Sequence, residues 1–499
     1  MTISLLLEMA ASAHPERTAV LADERRLTVE QLATATAGGA GVIAASGAGH
    51  VVYVGTGGVQ LPFLLFASAQ AGRPFTPLNY RLSPEGINAL IARLPEPLVV
   101  VDSEYREIVD VPAERLLDSD EFLDRARTAE HFTTFVDPDD TAVVLFTSGT
   151  TSRPKAVQLS HGNLTSYVMQ TVEFDSAATE DAVLIAVPPY HIAGVSAALS
   201  NIYSGRTMVY LRRFDPREWI RLVVQENVTT ATVVPTMLDR IVTALEATPT
   251  ELPTLRNLAY GGAKVGLPLV RKALELLPGV GFVNAYGLTE TSSTIAVLTP
   301  DDHRTALAST DPVVTARLGS VGRPVPGIEV EIRDPDGAVL PPGRPGELFV
   351  RGDQVSGKYD EIGSVLDDAG WFPTRDIAAS DAEGYLFITG RSDDTIIRGG
   401  ENIAPAELED VLIEHPSVHQ VVVIGVEDPE WGQAIVAVVV PEPGTEADAE
   451  ALRAFARVSL RGSRTPDRVV FRDELPTTAT GKILRRALVE ELSPAVDTA

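Results

Sequence analysis

Between Thr141 and Thr294, runs of apolar residues rich in β-branched side chains alternate with stretches of helical periodicity, and this alternation limits the fold more than any other feature. The runs TAVVLFT, AVLIAVPPY, TTATVVPT, LRNLAYGG and GFVNAYG read as strands. REWIRLVVQENV, MLDRIVTALE and PLVRKALELL, lying between them, are amphipathic and read as helices. Nearly continuous apolar strands joined by such helices predict an α/β fold with buried, mostly parallel strands, because a parallel sheet needs crossover helices that cover its faces. Residues 1–140 continue in the same mixed style with weaker punctuation.

After Val321 the text changes class. GRPVPGIEVEIRDPDGAVLPPGRPGELFVRG is dense in Pro and Gly between alternating apolar residues, which predicts hairpins of a small sheet or barrel. The polar segment GRSDDTIIRGGENIAP then reads as a hinge. Behind it, ELEDVLIEH, VVVIGV, AIVAVVV and EALRAFARVSL form a block with its own helices and strands. At 499 residues the chain exceeds what one core supports. The expected organisation is a large N-terminal α/β region over 1–391, with a β-rich subdomain at about 321–391, followed by a small, mobile α+β domain over 392–499.

Charge narrows the function classes. Lys and Arg total 41 against 68 Asp and Glu, and the resulting net charge of −27 repels nucleic-acid backbones and anionic bilayers. Nucleic acid is therefore not an expected partner, and a nucleotide site must rest on local donors and a metal. The absence of cysteine excludes disulfides, thiolate nucleophiles and Cys-based zinc sites. No apolar run approaches the ~18 residues of a membrane span, and the N-terminal MTISLLLEMAASAHPE has no basic residue ahead of its short apolar stretch. No membrane insertion and cytoplasmic residence are the expectations; the sequence carries no signal of oligomeric state.

The strongest chemical motif follows the strand AVVLF. Thr147, Ser148, Gly149, Thr150, Thr151, Ser152, Arg153, Pro154 and Lys155 make a loop with five hydroxyls and a terminal lysine. Hydroxyls and backbone N–H groups can surround phosphate oxygens while Lys155 adds a point charge. This is not a Walker A loop, in which Gly precedes a Lys that opens a helix, since Pro154 denies the adjacent backbone its N–H. Seen alone, a Ser/Thr-rich stretch is more often a surface turn.

It is not alone. FTSGTTSRPKAVQLSHGN resembles the phosphate loop of AMP-forming acyl-CoA synthetases, adenylation domains and luciferases. PPYHIAG (188–194), YGGA (260–263), NAYGLTE (284–290), GELFVRG (346–352), WFPTRDIA (371–378), GRSDDTIIRGGENIAPAELE (390–409) and PTTATGKILRR (476–486) are similar, in order, to that family's successive core motifs. Residues 1–140 resemble it only in general style.

The resemblance implies an acid–thiol ligase that uses ATP, Mg²⁺ and CoA. A carboxylate attacks the α-phosphate to give acyl-AMP and pyrophosphate, and the CoA thiol then displaces AMP. It places Thr147, Ser148, Gly149, Thr150, Thr151 and Lys155 on the phosphates. Gly262, Ala263, Asn284, Tyr286 and Gly287 fall in the adenine slot, with Tyr286 against the ring and Asn284 at its edge. Small residues, an amide and one aromatic ring suit a flat base on their own account. Thr289 precedes Glu290, which is implied to hold Mg²⁺, and a carboxylate suits an ion that keeps waters and bridges phosphates. Asp376 and Arg391 are implied to read the ribose, as a carboxylate that accepts from both hydroxyls and a guanidinium that reinforces it. His191 stands at the edge of the acyl pocket, and Lys482 bridges the substrate carboxylate and the α-phosphate. Asp393 is the implied hinge, Gly400 lines the pantetheine tunnel and Trp431 lies near the CoA nucleotide.

This chain also departs from the family. Ser152, Ala156 and Arg375 stand where relatives carry Gly, whose freedom at positive φ permits close backbone approach. These departures raise an alternative: a member deficient in adenylation that works on acyl-AMP made by a partner adenylating enzyme. A carrier-protein-loading enzyme is the other alternative; an end at Ala499 with no fused carrier domain favours CoA, and PPYHIAG lacks an acid to meet an amino-acid ammonium. HIAGV, VVPTM, YGGA and NAYG are uncharged and rich in small residues, so the expected acid is hydrophobic and bulky.

Overall fold

The alternating elements of the N-terminal region build two sheets. The computed structural model describes residues 1–147, 154–429, 431–460, 464–478 and 483–493, without the side chain of Asn402. In the nine-stranded sheet, Thr18–Ala22, Thr207–Tyr210, Ala182–Ile185, Thr230–Val233, Asn257–Gly261 and Gly281–Leu288 run side by side in parallel. Antiparallel strands close both of its edges, Arg25–Thr28 on one side and Ser293–Leu298 with Arg323–Pro324 on the other.

TAVVLFT belongs elsewhere. Thr141–Thr147 joins an eight-stranded sheet, parallel to Phe75–Leu78 and through it to His50–Val54, Pro97–Val101 and Leu116–Asp118. Its other neighbour is Lys155–Ser160, antiparallel, followed by Lys358–Tyr359 and Gly363–Ser364. Helices fill the space between the sheets. Gln60–Gln70 is buried nearly all round, and this is why QLPFLLFASAQ shows no polar face. Val29–Ala45 starts in a capping box between Thr28 and Gln31, which satisfies two backbone N–H groups left over at the helix start.

The Pro- and Gly-rich text after Val321 forms a four-stranded antiparallel sheet in the order Glu329–Arg333, Gly346–Arg351, Phe372–Ser380, Leu386–Arg391. Its core contains Ile332, Leu348, Val350, Phe372, Ala378 and Leu386. The C-terminal residues form a smaller α+β unit, with Val418–Asp428 and Gly432–Pro441 antiparallel and Arg468–Phe471 parallel to the latter. AIVAVVV is apolar throughout because both faces are covered. Ile435, Ala437 and Val439 pack with Leu408, Leu412 and Leu452 on one side, while Val436, Val438 and Val440 pack with Leu475 and Leu488 on the other.

The segment GRSDDTIIRGGENIAP, expected to act as a hinge, holds more regular structure than its polar text suggests. It contains a 3₁₀ turn, Ser392–Asp394, and a hairpin of Ile396–Arg398 with Glu401–Ile403. Ile396 and Ile403 are buried in the C-terminal core, and two inward residues among charged ones are too few to show as a strand pattern. Among the described residues, no helix is long and apolar enough to cross a membrane.

Candidate active site

Thr147 ends one strand and Lys155 begins its antiparallel partner, so the two stand opposite each other at the loop's base. Ser148, Gly149, Thr150, Thr151 and Ser152 lie outside the described residues. The Lys155 ammonium sits 5.4 Å from the centroid of the Tyr359 ring, a distance at which the ring quadrupole attracts a cation. The Tyr359 hydroxyl donates to Glu290 Oε1 at 2.8 Å, and Ser356 N donates to the Glu290 carbonyl at 2.9 Å. Burial, then the Glu290 charge, pushes the Tyr359 phenol upward, which keeps it a neutral donor. Lys155 and Glu290 thus meet through a tyrosine that sequence reasoning missed. Its one signal was an aromatic residue in the polar run GKYDEIG.

Ala156 occupies a regular strand position opposite Phe146 and has no left-handed φ, so its backbone does not need the freedom of glycine. Arg375 does occupy such a position, with φ +64°. Strand alternation buries Thr374 and Asp376 and exposes Arg375, whose Nε lies 4.0 Å from Glu347. Its bulk therefore leaves the buried face of the strand, where Asp376 sits, unfilled.

YGGA and NAYG lie side by side because Tyr260 pairs with Asn284 and Gly261 with Ala285. A Cβ on Gly261 would fall 2.1 Å from the Ala285 carbonyl oxygen, and one on Gly287 would fall 1.8 Å from that of Ser293, so both positions demand glycine. Gly262 follows with φ +85° and leads into Ala263. Asn284 Nδ2 donates to the Ser320 carbonyl at 3.1 Å. Thr289 opens the 3₁₀ turn that carries Glu290.

Asp376 and Arg391 are direct partners across two antiparallel strands, with Nε 3.5 Å from Oδ1. Arg391 also donates to the Thr374 carbonyl at 3.3 Å. Asp376 is buried, and the Tyr286 hydroxyl donates to it. Burial, with Asp376 beside it, drives the Tyr286 phenol far above its ordinary value. One ring is thereby tied to the carboxylate whose neighbour is Arg391.

His191 precedes the helix Ile192–Ser204 as its N-cap residue and is half-buried. That helix is linked to the strand Ser293–Leu298, next to NAYG, by a Ser196–Ser293 hydroxyl bond of 3.1 Å. In the C-terminal unit, Asp393 lies within the 3₁₀ turn, and Gly399 and Gly400 make the hairpin turn with φ +56° and +80°. Trp431 stands against that turn, its carbonyl accepting from Gly399 N at 2.7 Å and its half-exposed ring lying 5.1 Å from the Arg398 guanidinium carbon. Lys482 lies outside the described residues.

The AMP-binding enzyme family matches residues 7–360, and the AMP-binding enzyme C-terminal domain matches residues 407–482. The chain belongs to the AMP-binding, adenylate-forming acyl-CoA ligase family. Feruloyl-CoA synthase of Amycolatopsis is 35% identical over 94% of this chain and 95% of its own length. Indoleacetate–CoA ligase of Aromatoleum aromaticum is 32% identical over 97% and 96%. Among solved structures, o-succinylbenzoate CoA synthetase from Bacillus subtilis, in complex with the acyl-adenylate intermediate OSB-AMP, superposes with a TM-score of 0.83 at 30% identity, covering 97% of both chains.

In this ligase the C-terminal unit contacts the YGGA side of the site. Lys264, next to Ala263, pairs with Asp410 at 2.6 Å. His419 Nε2 approaches Asp239 at 3.3 Å while its Nδ1 meets Glu442 at 3.1 Å. Asp239 bonding first, partly offset by burial, raises the His419 pKa. Among the described residues no group of three or more His, Asp or Glu could hold a metal by itself. Glu290, a half-buried carboxylate with one oxygen taken by Tyr359, fits an ion bound chiefly by phosphate and water oxygens.

Proposed function

We propose that this ligase activates a bulky, hydrophobic and aromatic carboxylic acid as its adenylate and passes the acyl group to CoA. The observation that carries the reading is the joined set Tyr286–Asp376–Arg391 beside the glycine-floored YGGA and NAYG strands. A buried carboxylate held by a tyrosine and an arginine suits two vicinal ribose hydroxyls, and the glycines admit a flat base. Lys155 then neutralises phosphate charge, and Lys482 orients the acid against the α-phosphate. Catalysis of this kind rests on position and charge stabilisation, which fits a chain without a thiol. Mg²⁺, held at Glu290, would supply further charge neutralisation on the phosphates.

His191 borders the acyl pocket, and the Gly399–Gly400 turn with Trp431 receives the pantetheine and nucleotide ends of CoA. Residues 1–391 serve as the adenylate-forming domain and 392–499 as a domain that turns about Asp393, exchanging Lys482 for the glycine turn between half-reactions. The separate cores of the C-terminal unit support this division. The aromatic preference draws on the uncharged HIAGV, VVPTM, YGGA and NAYG segments and on relatives named for ferulate, indoleacetate and succinylbenzoate.

Incubation with ATP, CoA and a panel of arylpropenoic, arylacetic, fatty and amino acids, read by mass spectrometry, tests the proposal. Thioesters from the aromatic acids are expected in preference to all others. Preference for amino acids, or adenylate that transfers only to a carrier protein, would contradict it. Thioester formed from supplied acyl-AMP but never from ATP would favour the member that depends on a partner adenylating enzyme.

A further inference from the structure

Lys155 is held by two charged residues that come from distant parts of the chain. Its preceding carbonyl, that of Pro154, accepts a hydrogen bond from Arg93 Nη1 at 2.8 Å. Its following amide, Ala156 N, donates to the Glu361 carboxylate, with 3.2 and 3.3 Å to the two oxygens. Arg93 and Glu361 are paired with each other, which closes a ring of contacts around Lys155. The Arg93 guanidinium carbon also lies 4.7 Å from the Phe146 ring centroid, so one side chain touches both the strand entering the phosphate loop and the residue just ahead of the strand leaving it.

The geometry has a local cause. Lys155–Ser160 is edged by the two-residue strand Lys358–Tyr359, whose pairing stops at Val157. Beyond it Asp360 N reaches the Ala156 carbonyl at 3.0 Å, and Glu361 supplies the acceptor that the departed strand no longer offers to Ala156 N. The segment that carries Glu361 also carries Tyr359, the ring beneath the Lys155 ammonium and the donor to Glu290.

We propose that Arg93 and Glu361 are positioning residues that fix the Lys155 backbone on both sides and so set its ammonium against the ATP phosphates. This deepens the proposed function and rests on its placing of Lys155 on those phosphates. An ion pair about a third exposed on each side adds little to stability. Its effect belongs to ligand geometry, where a displacement near 1 Å costs roughly a hundredfold in rate.

Calorimetric titration of ATP and of AMP into the full chain tests this without knowledge of the acid. Arg93→Ala and Glu361→Ala are expected to weaken ATP about tenfold, the scale of a charged hydrogen bond, with AMP binding unchanged. The double variant should be no worse than either single, because the pair acts as one unit. Glu361→Gln keeps an acceptor for Ala156 N and should recover most of the loss. Equal losses for ATP and AMP, unchanged ATP binding, or wild-type protein that binds ATP no better than AMP would each overturn the proposal. The acid panel above fails or succeeds independently of these titrations, so the two readings are separable.

Discussion

Arg375 shows what one residue contributes when it departs from its family. An L-residue in the left-handed region carries a cost of about 1–2 kcal/mol, offset in part by the greater unfolded-state freedom of glycine. Arg375→Gly is therefore expected to raise stability in denaturant titration by up to about 1 kcal/mol. Because the side chain occupies the exposed face, pyrophosphate release should change by less than about twofold. A gain of an order of magnitude would place the guanidinium inside the nucleotide site and revive the adenylation-deficient alternative. At this scale, legibility followed chemistry. The motifs WFPTRDIA and GRSDDTIIRGGENIAPAELE carry Asp376 and Arg391, which the resemblance joins at the ribose, and the strand register sets them opposite each other. Tyr359 and Glu361 stayed hidden because their partners, Lys155, Glu290, Arg93 and Ala156, lie far away in sequence, and no periodicity marks a two-residue strand.

At the scale of elements, the strands and helices of 141–294 are plain because buried parallel strands are apolar nearly throughout and their crossover helices are strongly amphipathic. Which strands share a sheet is not plain, since hydrophobicity encodes burial and not the identity of a neighbour. Thr141–Thr147 accordingly pairs with strands from the first 140 residues, where the punctuation is weakest. The contact of the C-terminal unit with helix Pro235–Ala247 was equally illegible, and it has a pH signature. His419 lies between Asp239 on that helix and Glu442 after strand Gly432–Pro441, and its pKa is raised above the ordinary 6.5. Protonation is thus favoured in the docked form. The stabilisation is fully present below 6.5 and is lost as pH rises through the raised value. The protection of the helix Pro405–Leu412 amides, corrected for the intrinsic base-catalysed rise of exchange with pH, is expected to fall across that window in the wild type and to lose this dependence in His419→Gln. An identical pH profile in both would remove His419 from the contact.

For the whole molecule, the proposed function assigns the two half-reactions to one site served by a turning C-terminal domain. Removing Lys482 is expected to separate them. Lys482→Ala should slow acid-dependent pyrophosphate release by roughly a hundred- to a thousandfold, the loss of one preorganised charged donor, while thioester formation from supplied acyl-AMP stays near wild type. Equal loss in both steps would make Lys482 structural. The central claim, that the acid is activated by its own oxygen attacking the α-phosphate, is tested most directly by isotope transfer. With a carboxylate labelled with ¹⁸O in both oxygens, a single turnover with ATP and CoA should give AMP that carries one ¹⁸O and pyrophosphate that carries none. Label in pyrophosphate, or thioester formed alongside unlabelled AMP, would contradict the account.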